Sequence, residues 1–461
     1  MTSRSINPVA WPASLSQREV LSVGRIPLRP NDFVRRRIRL QGDVDVARLE
    51  AAVATSVKKH AILTASFVEA DTPYLALGTN SPRLVFESPP LVWDMFDAPL
   101  VRFSLTRDTS DRDLVLTVAV AHAAMDARSM SILTREIFSA YETADGKTAP
   151  DLGATFGAWS KAEASMVASP RGERLRGFWR TRLDGVGPLP ASGFASNSDR
   201  VVGARAENFQ LQIDGGPATF VSTMAASESV SEFAVVSVLW KAAQKYMAMD
   251  AGGSADSPVA VLGAFPNRLS KAYDGTVGAC ANSVVLVSSM PTGSSFDELV
   301  REEGLGLFQA ARHQDFPHAA VALDLDPSLY AVRFAADLSD IPRYMNFDMP
   351  FAGDLALPEV TELDLSILSE PSKELPRGGM RILVHKASSS WTLEGRFDPH
   401  VYSRESIERL CSAFASILSR WIREPKLTLA QLFIVTQRDE EKEAGLRAPA
   451  ILPPSADEGY R

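Results

Sequence analysis

The stretch from Leu114 to Val120 constrains this chain more than any other. Leu114, Leu116, Val118 and Val120 alternate with Val115, Thr117 and Ala119, so both faces of a strand there are nearly apolar. Such a strand belongs in the interior of a sheet covered on both sides. A helical pattern follows at once, with Met130, Leu133, Ile137 and Tyr141 on one face of a helix expected to open at Ser129. Asp45 stands where an N-cap belongs, before Val46, Leu49, Val53 and Val57. Near the other end, Ser403 precedes a helix with Ile407, Leu410, Phe414, Ile417 and Trp421 inward. Strand-like runs at Val259 to Leu262 and Ser283 to Ser288 lie between. Strands and helices thus mix along the whole chain, which indicates an α/β (α+β) fold.

With 461 residues the chain has room for two or three units of about 150 residues each. Residues 186–206 are rich in Gly, Pro, Ser and Ala without usable periodicity and read as a linker. This predicts one lobe over 1–185, a second over 207–440, and a disordered tail over 441–461, where Pro453-Pro454 occurs with few apolar anchors. The net charge of −8 argues against a nucleic-acid-binding surface. The one local basic cluster, Arg35-Arg36-Arg37, alternates like a strand and reads as a solvated face or rim. Two cysteines form no disulfide framework, and Cys280 and Cys411 sit in apolar settings as small core residues. No leader-like segment opens the chain, and Leu114 to Met125 is too short to span a bilayer. A cytoplasmic protein without membrane contact is expected.

The sharpest local feature is His122-Ala123-Ala124-Met125-Asp126, an HxxxD between the interior strand and the helix. An imidazole there is a natural base near neutral pH. The plainer alternative is a satisfied structural histidine with Asp126 as helix cap, and the pattern alone leaves both open. Other templates fail: there is no GxSxG elbow, no P-loop, and no GxGxxG after a strand. His313 and His318 are five apart with Pro317 between them, which disfavours a metal pair, and His385 and His400 sit among polar residues. No metal site and no cofactor signature is expected.

The order of short motifs resembles the condensation domains of nonribosomal peptide synthetases, within the wider group of chloramphenicol-acetyltransferase-like acyltransferases. Leu15-Ser16-Gln17 resembles the family's LSxxQ segment, and Gly42 to Leu63, with His60, its RHxxLR helix. Ala98-Pro99-Leu100-Val101-Arg102 resembles GPLxR, and His122 to Ser129 resembles HHxxxDGxS. Phe178-Trp179 with Leu183 resembles YWxxxL, Asn267-Arg268 the GR turn, and Thr276 to Ser283 xVGxFVNT. The resemblance spans about residues 12 to 438. Three positions depart from it: Ala121 replaces the first His, Ala127 the Gly after the Asp, and Thr64 the last Arg of the helix motif. The DFGWG motif of plant-type relatives is missing, although Asn346-Phe347-Asp348 lies in a comparable region.

The resemblance implies two similar lobes, each a mixed sheet with flanking helices, set in a V around a tunnel with His122 at its middle. It also implies an enzyme of natural-product biosynthesis, and because the sequence shows no adenylation, carrier or thioesterase segment a free-standing monomer is expected. Such an enzyme joins an acyl or peptidyl thioester, carried on the phosphopantetheine arm of a carrier protein in trans, to an amine or hydroxyl. His122 would act as general base, Asp126 would pair with Arg268, and Asn282 and Ser129 would line the tunnel. Two other readings stay open: an acyl-CoA-dependent O-acyltransferase of the same fold, and a catalytically silent module that binds carrier proteins, suggested by Ala121 and Ala127.

Overall fold

A computed structural model describes residues 10–18, 33–68, 73–78, 81–87, 93–94, 96, 99–108, 113–143, 155–184, 186, 205–325, 345–348, 357–368, 379–386 and 390–434. The predicted linker lies almost wholly outside the described residues, and the predicted tail lies wholly outside them.

The doubly apolar stretch forms β7 (Leu114–Ala121), the middle strand of a five-stranded sheet. Phe33–Gly42 (β2) flanks it on one side and Val101–Arg107 (β6) on the other, both antiparallel. Leu84–Val85 (β5) and Leu363–Leu368 (β12) form the edges. Every residue of β7 after Leu114 is buried, as a strand covered on two sides requires. The helices Val46–Lys59 and Ala127–Glu142 pack on each other, with Leu49, Val53 and Val57 of the first and Met130, Leu133, Ile137 and Tyr141 of the second buried. Ala10–Pro12 (β1), Ala65–Val68 (β3) and Tyr74–Leu77 (β4) make a small separate sheet.

A second, six-stranded sheet holds Glu207–Asp214 (β8), Val259–Phe265 (β9), Asn282–Ser288 (β10), Met345–Asp348 (β11), Met380–Lys386 (β13) and Ser390–Phe397 (β14). Its order is β10-β9-β11-β13-β14-β8, with β11 parallel to both neighbours and the other pairs antiparallel. The helix Glu232–Asp250 packs with Arg404–Arg423 and Phe296–Arg312. Because that helix is buried nearly all round, its Lys241 needs a partner. Its ammonium donates to both oxygens of Glu303, 2.7 and 2.9 Å away, and to Ser288 Oγ at 2.8 Å.

Each of the two larger sheets has its own hydrophobic core, the small sheet sharing that of the first, and the chain crosses between them. Strand β12 comes from the second half yet pairs with β2 in the first sheet. The helix Pro170–Leu183, placed in the first lobe by its position, packs Leu175, Trp179 and Leu183 into the second core. One reading of charge needs correction. Arg35 and Arg37 are partly exposed, but Arg36 is buried and donates to Ser131 Oγ at 3.1 Å, so the cluster is not one solvated face. Among the described residues no helix is long and apolar enough to cross a membrane.

Candidate active site

The chain reverses where β7 ends. The Ala124 amide donates to the Ala121 carbonyl at 2.8 Å, so His122 and Ala123 occupy the centre of a tight turn. Ala123, Ala124 and Met125 are fully buried, whereas His122 is exposed. Small residues let the turn tuck into the core while the imidazole stays outside. The following helix starts at Ala127 rather than Ser129, because Asp126 is its N-cap and accepts the Ser129 amide at 2.8 Å.

Asp126 is also an ion-pair partner. Its Oδ2 lies 3.0 Å from Arg268 Nη1 and its Oδ1 3.1 Å from Arg268 Nη2, and the side chains are only 6% and 2% exposed. The amides of Cys280 and Ala281 donate to the same carboxylate at 3.0 and 2.9 Å. Burial alone would push the Asp126 carboxyl up. The Arg268 guanidinium and the hydrogen bonds from Ser129 outweigh burial and hold it below the usual carboxylate range. Arg268 further donates to Ser129 Oγ (2.7 Å) and to the carbonyls of Pro266 (3.0 Å) and Thr276 (3.1 Å). Asn267, which stands where the family turn has glycine, takes the left-handed conformation with φ of 49° that asparagine tolerates better than most residues. Its amide donates to Gln314 Oε1 at 2.9 Å and its carbonyl accepts from Trp159 Nε1 at 3.2 Å. Cys280 lies inside this network, and burial pushes its thiol up.

Ser129 and Asn282, the two residues expected along a tunnel, are both buried and hydrogen-bonded within the protein. Ser129 Oγ donates to the Gly278 carbonyl (2.8 Å) and accepts from the Gly278 amide (3.0 Å), which uses its hydrogen-bonding capacity together with Arg268. Asn282 Nδ2 donates to the carbonyls of Gln314 (2.7 Å) and Phe316 (2.8 Å), and Oδ1 accepts the His318 amide (2.9 Å). Both side chains are buried and pin one segment to another. Gly278 is needed for space: a Cβ there would overlap the Phe156 ring, which is already stacked with Trp159. Gly278→Ala is therefore expected to destabilise by about 1–3 kcal/mol through overpacking. Unchanged denaturation midpoints would show that Phe156 moves aside freely.

The remaining histidines carry other contacts. His60 Nε2 lies 2.6 Å from Glu136 Oε2, tying the two helices of the first half together. His313 stacks on Phe178 with ring centroids 3.8 Å apart. Among the described residues no group of His, Cys, Asp and Glu could hold a metal ion. A cleft of about 850 Å3 is walled by Arg174, Phe178, Arg182 and Leu305 among others, and one of about 920 Å3 by Ser14, Leu15, Arg18, Lys161, Glu163 and Arg176 among others. Neither touches His122.

Two buried polar residues have contacts that the sequence reading did not assign: Gln17, named there only as part of a motif, and Glu163, not named at all. Gln17 is fully buried and its Nε2 donates to the Ala123 carbonyl at 2.8 Å. The relevant spacing is Ser14-x-x-Gln17, with Ser14 rather than Ser16 as the serine that pairs with Gln17. It forms a reciprocal capping box: the Gln17 amide donates to Ser14 Oγ (3.2 Å) and the Ser14 amide to Gln17 Oε1 (3.0 Å). The second residue is Glu163, on the helix Phe156–Val167, whose Oε2 accepts the Leu15 amide at 3.1 Å. Burial pushes the Glu163 carboxyl up to about 7, against which the Leu15 amide gives partial relief.

A carboxyl raised on folding binds its proton more tightly in the native state. Its ionisation then costs stability as pH rises from the ordinary value near 4.5 through 7. The penalty above pH 7 is about 3 kcal/mol, at about 1.36 kcal/mol per unit. Glu163→Gln is expected to flatten that slope and to be the more stable protein at pH 8. Denaturation curves at pH 5, 6 and 8 check this, and parallel losses in both proteins would refute it.

The comparisons with known proteins agree with this geometry. Residues 92–443 match the family model described as the condensation domain. Surfactin synthase subunit 1 of Bacillus subtilis (strain 168) is 20% identical over 420 residues, covering 87% of this chain and 11% of that protein. Bacitracin synthase 3 of Bacillus licheniformis is 20% identical over 429 residues, covering 88% of this chain and 6% of its own length. The chain therefore spans only a small part of these relatives. Among solved structures, the X-domain from teicoplanin biosynthesis superposes with a TM-score of 0.76 at 19% identity, over 94% of this chain and 99% of that one. VibH, a nonribosomal peptide synthetase condensation enzyme, superposes with a TM-score of 0.68 at 16% identity, over 89% and 96% of the two chains. An interior strand ending in an exposed histidine, two mixed sheets and a match over most of the sequence lead to one assignment: this chain belongs to the condensation-domain family of nonribosomal peptide synthetases.

Proposed function

We propose that this protein catalyses condensation of a carrier-bound acyl or peptidyl thioester with an amine or hydroxyl, with His122 as general base. The observation that carries the reading is the contrast between His122 and its surroundings. The imidazole is exposed, while the turn beneath it is buried and Asp126 is held ionised by Arg268. In the step proposed, the nucleophile attacks the thioester carbonyl while His122 takes its proton. The carbon–nitrogen or carbon–oxygen bond forms, the carbon–sulfur bond breaks, and the proton leaves on the pantetheine thiol. Holding donor and acceptor together supplies the proximity contribution, which reaches about 7–11 kcal/mol in well-oriented cases. Asp126 is too buried to meet substrate and acts by fixing the turn. No resident cofactor takes part; the phosphopantetheine arm belongs to the substrate, delivered by a carrier protein.

Two observations favour a second reading, a module that binds proteins without turnover. The position of the family's first histidine is the buried Ala121, and the X-domain is known in complex with OxyB. Mass spectrometry of products from acyl-loaded carrier protein plus amine or alcohol acceptors separates the two. Condensation product from the carrier in preference to acyl-CoA supports the proposal. Equal use of acyl-CoA points instead to an O-acyltransferase, and carrier binding without product to a silent module.

A further inference from the structure

The turn that carries His122 is held from two sides. From one side comes the Asp126–Arg268 network, reaching across from the loop after β9. From the other comes the N-terminal segment, where a helical turn at residues 15–18 sits against the helix Phe156–Val167. Two hydrogen bonds hold it there: Ser160 Oγ donates to the Pro12 carbonyl at 3.2 Å and the Leu15 amide donates to Glu163. The helical turn brings one side chain to the catalytic loop. Gln17 uses its oxygen for the Ser14 amide and its nitrogen for the Ala123 carbonyl, so its rotamer is set at both ends.

The geometry points to Gln17 as a positioning residue for His122. Ala123 is fully buried, and its carbonyl belongs to the peptide group directly after the His122–Ala123 unit at the centre of the turn. A buried carbonyl that loses its donor rotates in search of another. Here such a rotation re-aims the residue before it. Gln17 prevents this from outside the HxxxD motif, more than a hundred positions away in sequence. Glu163 contributes by docking the capping box through Leu15.

The inference rests on the reading of His122 as general base, and its test is arranged to fail separately from that reading. Gln17→Leu keeps the side chain's bulk and removes both the donor to Ala123 and the acceptor for Ser14. Turnover of the acyl-loaded carrier should fall by about 10- to 100-fold in kcat with KM unchanged, the order of loss that misplacement by about 1 Å produces. In a His122→Ala background the same substitution should cost nothing further. In histidine-labelled protein, the His122 ring resonance, identified by its loss in His122→Ala, should shift or broaden while those of His313 and His318 stay. Gln17→Glu, which keeps the acceptor for Ser14 and lacks the amide donor, serves if Gln17→Leu does not fold. An unmoved His122 resonance, or an equal loss of rate in both backgrounds, overturns the inference. A His122→Ala variant with wild-type turnover would instead overturn the general-base reading, and the resonance would still decide the part of Gln17.

Discussion

His122→Ala is expected to lower turnover by at least about 100-fold, the lower bound for loss of a positioned general base. The melting temperature should stay close to that of the wild type. Both halves of this expectation come from the same geometry. His122 is exposed at the centre of a turn, so truncating it leaves no cavity in the core. The turn's own hydrogen bonds run through the backbone of Ala121, Ala123 and Ala124, which the substitution leaves in place. A variant that is folded and slow separates chemistry from structure. Wild-type rates would return His122 to the plainer reading of a structural histidine.

The second large effect is on stability. Asp126 and Arg268 are almost completely buried, and removing either strands the other's charge, at a cost of about 3–5 kcal/mol. The two singles should not be equal. Arg268→Ala leaves a carboxylate that still accepts the amides of Ser129, Cys280 and Ala281, so it belongs at the lower end. Asp126→Ala leaves those three amides without their acceptor and a buried guanidinium without its counter-charge, and belongs at the upper end. The double variant should be destabilised by clearly less than the sum of the singles, because the second change removes the charge that the first left stranded. Simple additivity would show that the pair contributes nothing as a pair, and Asp126 would then be only a helix cap worth about 0.5–2 kcal/mol. The pH dependence gives an independent check. Asp126 is held below its ordinary value, so its contribution is present above the unfolded-state value and is lost as pH falls through the lowered one. In Arg268→Ala the carboxyl rises, and acid unfolding should begin at higher pH than in the wild type.

What could be read from the sequence was what repeats over short distances. The two apolar faces of β7, the stripe Met130–Leu133–Ile137–Tyr141 and the face of the helix Arg404–Arg423 are all buried as their spacing predicts. Side-chain direction repeats every two residues in a strand and every 3.6 in a helix, so the pattern itself encodes the buried face. The HxxxD was visible for the same reason, since strand end, turn and cap are neighbours in the chain. The Ser14–Gln17 spacing was equally local and could have been recognised as a capping box.

Only the tertiary structure decided which distant segments meet. Asp126 and Arg268 are 142 positions apart, and no period links them; only the family resemblance put them together beforehand. Pairing of β12 with β2, burial of Arg36 against Ser131, and docking of the helix Pro170–Leu183 in the second core all depend on long-range pairing. Asn282 and Ser129 show the limit most plainly. Each is a polar residue at a motif position, which suits a tunnel wall and a buried clamp equally well. The choice lies with the partners that folding brings to them: Gly278 and Arg268 for Ser129, and the carbonyls of Gln314 and Phe316 for Asn282. A side chain's polarity is a property of the sequence, but whether that polarity faces solvent or is satisfied inside is a property of the assembled fold.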